Sequence, residues 1–237
     1  MCYKANQTIL APYRWLTRVA VWLAVVALVC ITLKYDVFLM RFRYWLIPDR
    51  PEGLLRQILQ GFRDFAQTVP MVTACVLVAI YDKQRRRKVI TAVIVAQLLA
   101  CVVYNAGKFT IVRYRPDAKV GKMEDLDGLT SAQTWAGFKL INEDKNTQSF
   151  PSGHSGAAFA LAGVLAWYYR PARGLLWTLA VGCALSRYLD LRHWPSDCLA
   201  GATIGYLAAW VTLRMLKQER KEPNPDKKSI KTRLPVV

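Results

Sequence analysis

Six stretches of the chain are nearly free of charge: residues 19–33, 65–81, 89–107, 155–169, 174–186 and 198–213, each 13 to 19 residues long. Apolar residues run on through them without the gaps that would leave a polar face, the pattern of helices surrounded by lipid. A hydrocarbon layer of about 30 Å asks for about 20 helical residues, so the last three stretches must extend into their polar flanks. That extension takes in residues 151–154, Arg187 and Asp197 and places them at helix ends near one membrane face. Short buried helices of a soluble protein are the competing reading, and the basic residues flanking the stretches argue against it. The fold class expected is all-α: a polytopic membrane protein of six transmembrane helices.

Between the first two stretches, Leu54, Leu55, Ile58, Leu59, Phe62 and Phe65 share one helical face while Arg56 and Arg63 point elsewhere. This predicts an interfacial helix over 51–65. The aromatic run before it, Phe38, Phe42, Tyr44 and Trp45, suits either the headgroup layer or a helix-packing face. Residues 117–150 are too polar to span and form the longest connection, one placed to cover a site.

With 54% hydrophobic residues, a mean hydropathy of +0.15 and 8 Trp, 11 Tyr and 8 Phe, the chain is too apolar to stay disordered in water. Its 33 Lys and Arg against 16 Asp and Glu give +17, scattered between the apolar stretches as anionic lipid would have them and not gathered into a nucleic-acid surface. Residues 1–18, 82–88, 170–173 and 214–237 hold 18 basic residues in 53 positions, against 15 in 85 for the intervening connections. The denser set is cytoplasmic by the positive-inside rule, which puts both termini in the cytoplasm and opens the 117–150 side to the periplasm or exterior. Residues 1–216 form the expected six-span domain, and 217–237, rich in lysine and proline, a basic cytoplasmic tail. No cleavable signal peptide is evident, so the first stretch is kept as a span. Cys30, Cys75, Cys101, Cys183 and Cys198 lie in or beside apolar stretches without metal-ligand spacing and read as packing residues, with Cys2 alone near the terminus.

Only two histidines occur, His154 and His193, each beside a stretch end on the non-cytoplasmic side. A histidine in such a place is ordinarily a packing residue, so its neighbours carry the argument. Pro151-Ser152-Gly153-His154 reads as a helix start, whose free N–H groups favour an anion. Asp197 follows His193 by four, near enough for a carboxylate to hold a ring nitrogen and fix the tautomer. Lys108 and Arg115 beyond the third stretch, with Arg187, add positive charge at the same boundary. Snorkelling cations at a helix end would explain them individually. Together these groups are the parts of a phosphate site: fixed positive charge for phosphoryl oxygens, a nucleophile and a proton donor.

Lys108 with six residues then Arg115-Pro116, Pro151-Ser152-Gly153-His154, and Ser186-Arg187 with five residues then His193, three more and Asp197 resemble, in order, the tripartite signature of the type 2 phosphatidic acid phosphatase superfamily. The resemblance spans residues 108–197, and every signature position is filled. It implies that His193 attacks phosphorus to form a phosphohistidine, that Asp197 orients and charge-stabilises it, and that His154 protonates the leaving oxygen and then activates water. Lys108, Arg115, Arg187, the Ser152 hydroxyl and the Gly153 N–H would hold the phosphoryl oxygens. No metal or other cofactor is implied. Asp190 and Arg192 fall in unspecified positions and read as loop charges.

The expectation is therefore an integral membrane lipid phosphatase of the inner membrane with a periplasmic-side active site, acting on a lipid phosphomonoester or pyrophosphate. Relatives in that superfamily act on undecaprenyl pyrophosphate, phosphatidylglycerol phosphate, phosphatidic acid and the 1-phosphate of lipid A. A lipid phosphotransferase would use the same intermediate. A transporter that binds phosphate without turnover is the non-enzymatic alternative, although its ionisable residues belong near mid-span.

Overall fold

A computed structural model describes residues 11–218; the tail expected over 217–237 lies outside the described residues from 219 onwards, as does Cys2. Helix α1, Ala11–Leu46, runs 36 residues, about 54 Å at the rise of an α-helix. It continues through the aromatic run, Phe38 to Trp45. Phe38, Phe42 and Trp45, at helical spacing, are exposed on one side of it, while Asp36, Met40, Arg43 and Tyr44 are buried on the other. Here the sequence offered two readings of the aromatics, and the helix splits them between its outer and packing faces.

Helix α2, Gly53–Asp64, is the amphipathic helix expected over 51–65. It packs on a later helix through Leu59 and through Phe62, whose ring lies where a side chain at Gly182 would otherwise stand. Helix α3, Thr68–Tyr81, follows at a bend of 56°. Helix α4, Arg86–Thr110, ends in strand β1, Ile111–Arg113, which pairs antiparallel with β2, Trp135–Phe138. Between the strands lie the single turn α5, Pro116–Lys119, and two 3₁₀ turns, so the polar connection is a folded cap with a small sheet and the protein is mostly, not purely, helical. Helices α6, Gly153–Tyr168, α7, Arg173–Leu189, and α8, Pro195–Gln218, complete the order.

Among the described residues, three helical segments, Trp22–Leu46, Arg86–Thr110 and Pro195–Leu216, are each long and apolar enough to cross a membrane, and the bent pair α2–α3 makes a fourth if it counts as one span. Helices α6 and α7, with 16 and 17 residues, fall short of a bilayer thickness on their own. Their place in the packing accounts for that. Helix α6 is the centre of the bundle, touching α4, α7 and α8, with Ala158, Ala160, Leu161, Ala162 and Val164 almost wholly enclosed. The outer faces instead carry exposed Val26, Leu98, Val102 and Leu185, apolar surface of the kind that lipid covers.

Small residues let α6 and α8 approach backbone to backbone, as in membrane helix pairs. A Cβ added at Gly205 would stand 2.0 Å from the Gly156 carbonyl oxygen, and one at Gly201 would stand 2.2 Å from that of Ser152. Any larger residue would drive the helices apart. That contact fixes the start of α6 against the start of α8, where the candidate residues lie.

Candidate active site

Ser152 caps α6: its hydroxyl oxygen accepts from the Ser155 N–H at 3.4 Å, and its own N–H donates to the Asp197 carbonyl at 3.0 Å. Its side chain is fully buried, so it serves the helix start and does not border open space. Gly153 and His154 follow in the first turn, where backbone N–H groups have no carbonyl a turn earlier to receive them. Lys108, in the last turn of α4, reaches over this turn: a Cβ at Gly153 would meet its Nζ at 3.2 Å. A methyl group there would press on the ammonium, which would have to give by a few tenths of an ångström.

The chain leaves α7 after Leu189 and doubles back at Leu191, a buried non-glycine residue held at φ 60 by packing with Val37, Met40, Tyr44 and Trp194. Such a backbone costs about 1 kcal/mol or more, offset here by the packing around it. The turn brings the N–H groups of Arg192 and His193 onto the Arg187 carbonyl, at 3.0 and 3.2 Å. His193 is thereby tied to the helix that carries Arg187.

The His193 ring is 2% exposed, and its Nδ1 lies 2.7 Å from the Ser149 carbonyl oxygen. A carbonyl can only accept, so Nδ1 carries the proton and Nε2 keeps its lone pair. Asp197 takes a different place from the one its spacing suggests: its carboxylate stands 3.8 Å from Nδ1, as a neighbouring charge. The reason is that other donors occupy it. It accepts from the Ser149 hydroxyl at 2.6 Å, the Trp194 N–H at 2.9 Å, and the Arg113 guanidinium. Burial, with the charges of Lys108 and Arg115, outweighs the Asp197 carboxylate and holds the imidazole down to about 4. At neutral pH the ring is uncharged.

Arg113, Asp36 and Ser149 escaped the sequence reading. Arg113 is entirely buried, with its guanidinium 4.3 Å from the Trp135 ring centre and 5.6 Å from that of Trp194. One arm reaches Asp197 and the other Asp36 on α1, at 2.5 Å. Asp36 also accepts the Ser196 N–H at 2.9 Å, which pins the start of α8. The signal available was weak: a lone carboxylate, Asp36, beside an apolar stretch, and an arginine at an unspecified place in the first motif block.

Arg115, Arg187 and His154 border one cavity of about 580 Å³, with Asp190 and Arg192 at its edge and not merely in a surface loop. Among the described residues, the Nε atoms of Arg115 and Arg187 are buried without a hydrogen-bond partner, two donors open to an acceptor. Burial also pushes the Arg115 guanidinium below its usual range. Lys108, Arg115, Arg187 and both histidines lie within range of one another's charge. All the residues of the three sequence blocks are thus gathered at one end of the bundle, Ser152 in a supporting position.

Residues 88–221, more than half of the chain, match the family model of the PAP2 superfamily. The chain belongs to that superfamily. It is 31% identical over 90 residues to the lipid A 1-phosphatase of Porphyromonas gingivalis, a match covering 35% of this chain and 19% of that protein, so the chain aligns with about a fifth of its relative. The fold is similar to that of Aquifex aeolicus LpxE, at a TM-score of 0.53 and 22% identity, over 72% of this chain and 92% of the other. It is similar also to a PAP2-type phosphatidylglycerolphosphate phosphatase from Bacillus subtilis, at 0.53 and 16%, over 85% and 98%.

Proposed function

We propose that the protein is an integral membrane phosphatase that removes a terminal phosphate from a lipid, with its six apolar stretches forming the membrane domain and the site at the outer, periplasmic boundary of the inner membrane. The observation that carries the reading is the His193 ring, buried and neutral, with Nδ1–H on the Ser149 carbonyl and the Nε2 lone pair left over. A nucleophile needs that tautomer. Family membership supports the same reaction class.

In the first step Nε2 attacks phosphorus as the bond to the lipid oxygen breaks, and the His154 imidazolium passes its proton to the leaving oxygen. In the second, neutral His154 takes a proton from water, the water oxygen attacks phosphorus, the P–N bond breaks, and inorganic phosphate leaves. Lys108, Arg115, Arg187 and the Gly153 N–H meet the phosphoryl oxygens, where the unsatisfied Nε donors stand ready. Asp197 stabilises the positive charge that grows on His193. Fixed cations supply the electrostatic role, and the steps need no metal.

The test is phosphate release from lipid phosphates by the detergent-purified chain in the presence of chelator. Wild type is expected to turn over, and His193→Ala to lose activity while still binding the lipid. Binding without release by wild type would overturn the enzymatic reading.

A further inference from the structure

One edge of the polar cap is apolar. Phe138, Leu140 and Ile141 are 80%, 91% and 65% exposed, and Lys139 is the one charge among residues 138–141. Large apolar side chains crowded onto a loop tip mark a surface that something else covers.

Backbone bonds fix where the tip stands. Phe138 pairs with Ile111 in the small sheet, the Lys139 N–H donates to the Thr110 carbonyl at 2.9 Å, and the Asn142 N–H donates to the Phe109 carbonyl at 2.7 Å. Both ends of the tip are thereby fastened to the last turn of α4, a helix long and apolar enough to cross a membrane. Leu98, Val102 and Phe109 lie on one face of that helix and are exposed. This stripe ends at Phe109, the residue whose carbonyl holds Asn142.

Lipid is the occupant that the arrangement fits. The apolar tip continues the lipid-facing stripe of α4, so a soluble partner would have to displace lipid to cover both. Lys139 carries the sign that lipid phosphates attract, on a stem that can lie along acyl chains while its ammonium stays in the headgroup layer. Resting on the reading of α4 as a membrane span, we infer that residues 138–141 dip into the leaflet on the cap's side and anchor the cap to the lipid surface. Phe138, Leu140 and Ile141 enter the acyl region and Lys139 stays among the phosphates.

The anchor bears on the candidate site by a short path. The Asn142 side chain accepts from the Thr147 hydroxyl at 3.0 Å, the Thr147 carbonyl accepts the Arg113 N–H at 2.8 Å, and two residues on, the Ser149 carbonyl holds His193. Lipid contact at the tip steadies the part of the cap that supplies that acceptor.

Thiol labelling tests the placement. A water-soluble maleimide reacts with thiolate, which forms in water and not among acyl chains. The full chain would be placed in nanodiscs of phosphatidylethanolamine and phosphatidylglycerol, one chain per disc, so that no second copy can cover the tip. Leu140→Cys would be compared with Val102→Cys on the α4 stripe and with Glu124→Cys at an exposed, charged place in the cap, each above the wild-type background. Leu140→Cys is expected to react about tenfold or more slowly than Glu124→Cys and about as slowly as Val102→Cys. Fast labelling at 140 with protection at 102 would overturn the inference and leave the membrane reading standing, whereas fast labelling at both would overturn the two together. Protection at 140 that appears only in discs holding two chains would assign the tip to a second copy and likewise overturn the inference.

Discussion

The Nδ1 of His193 meets the carbonyl oxygen of Ser149, 44 residues earlier in the chain, at 2.7 Å. A backbone acceptor sets the tautomer, and no substitution at position 149 removes it. Ser149→Ala deletes only the hydroxyl that donates to Asp197 at 2.6 Å. It should therefore cost about 1.5–3 kcal/mol of stability, the worth of a hydrogen bond to a charge, and lower turnover far less than Asp197→Ala does. Parallel kcat values for the two variants check this; an equal collapse in both would contradict it.

Protonation of Nε2 removes the nucleophile. With the imidazole held near 4, loss of the nucleophile should place the acid limb of kcat/KM around pH 4, instead of the 6.5 of a free histidine, while the need for a protonated His154 makes activity fall again on an alkaline limb. The same shift acts on stability. The folded-state value lies below the unfolded one, so the neutral ring's contribution is present above about 6.5 and is lost as pH falls from there through about 4. A pH–rate profile and unfolding midpoints over the same range would show both.

Replacing Asp36 by Asn removes one of the two carboxylates on a wholly buried guanidinium. Breaking such a pair typically costs about 3–5 kcal/mol. The variant should unfold at lower temperature in detergent, and the surviving fraction should show a lower kcat at unchanged KM, because Asp36 touches Ser196 and Arg113 and not the cavity. A rise confined to KM would contradict this.

Arg187→Lys keeps the charge but loses the fork and its unpartnered Nε. A drop in kcat of about 10²-fold is expected, the usual scale for one donor to a developing phosphoryl charge. Full activity would mean that this donor serves the fold alone.

Gly205→Ala places a methyl 2.0 Å from the Gly156 carbonyl oxygen. Overpacking of about 1–3 kcal/mol is expected, with loss of activity, since the α6 and α8 starts separate together. Thermal unfolding alongside kcat would report both effects.

Much of this site was legible because motif residues declare themselves by spacing. Lys108, Arg115, His154, Arg187 and His193 all sit at helix ends or turns, where short patterns mark the chain. The network behind them was not legible, for a physical reason. Asp36, Arg113 and Asp197 meet across separations of 77 and 84 residues, and local patterning carries no information about partners so remote. The amphipathic helix was foreseen, yet where it packs depends on a 56° bend that no periodicity encodes. Aromatic residues 38–45 were divided by a helix longer than the bilayer requires.

The Arg113 guanidinium ties Asp36 on the first described helix to Asp197 on the last. During biosynthesis that cation has to wait for residue 197 to emerge before its second partner exists. The end of the bundle that holds the candidate site is therefore among the final parts to assemble, and a nascent chain halted before α8 would hold Arg113 with only one of its two carboxylates.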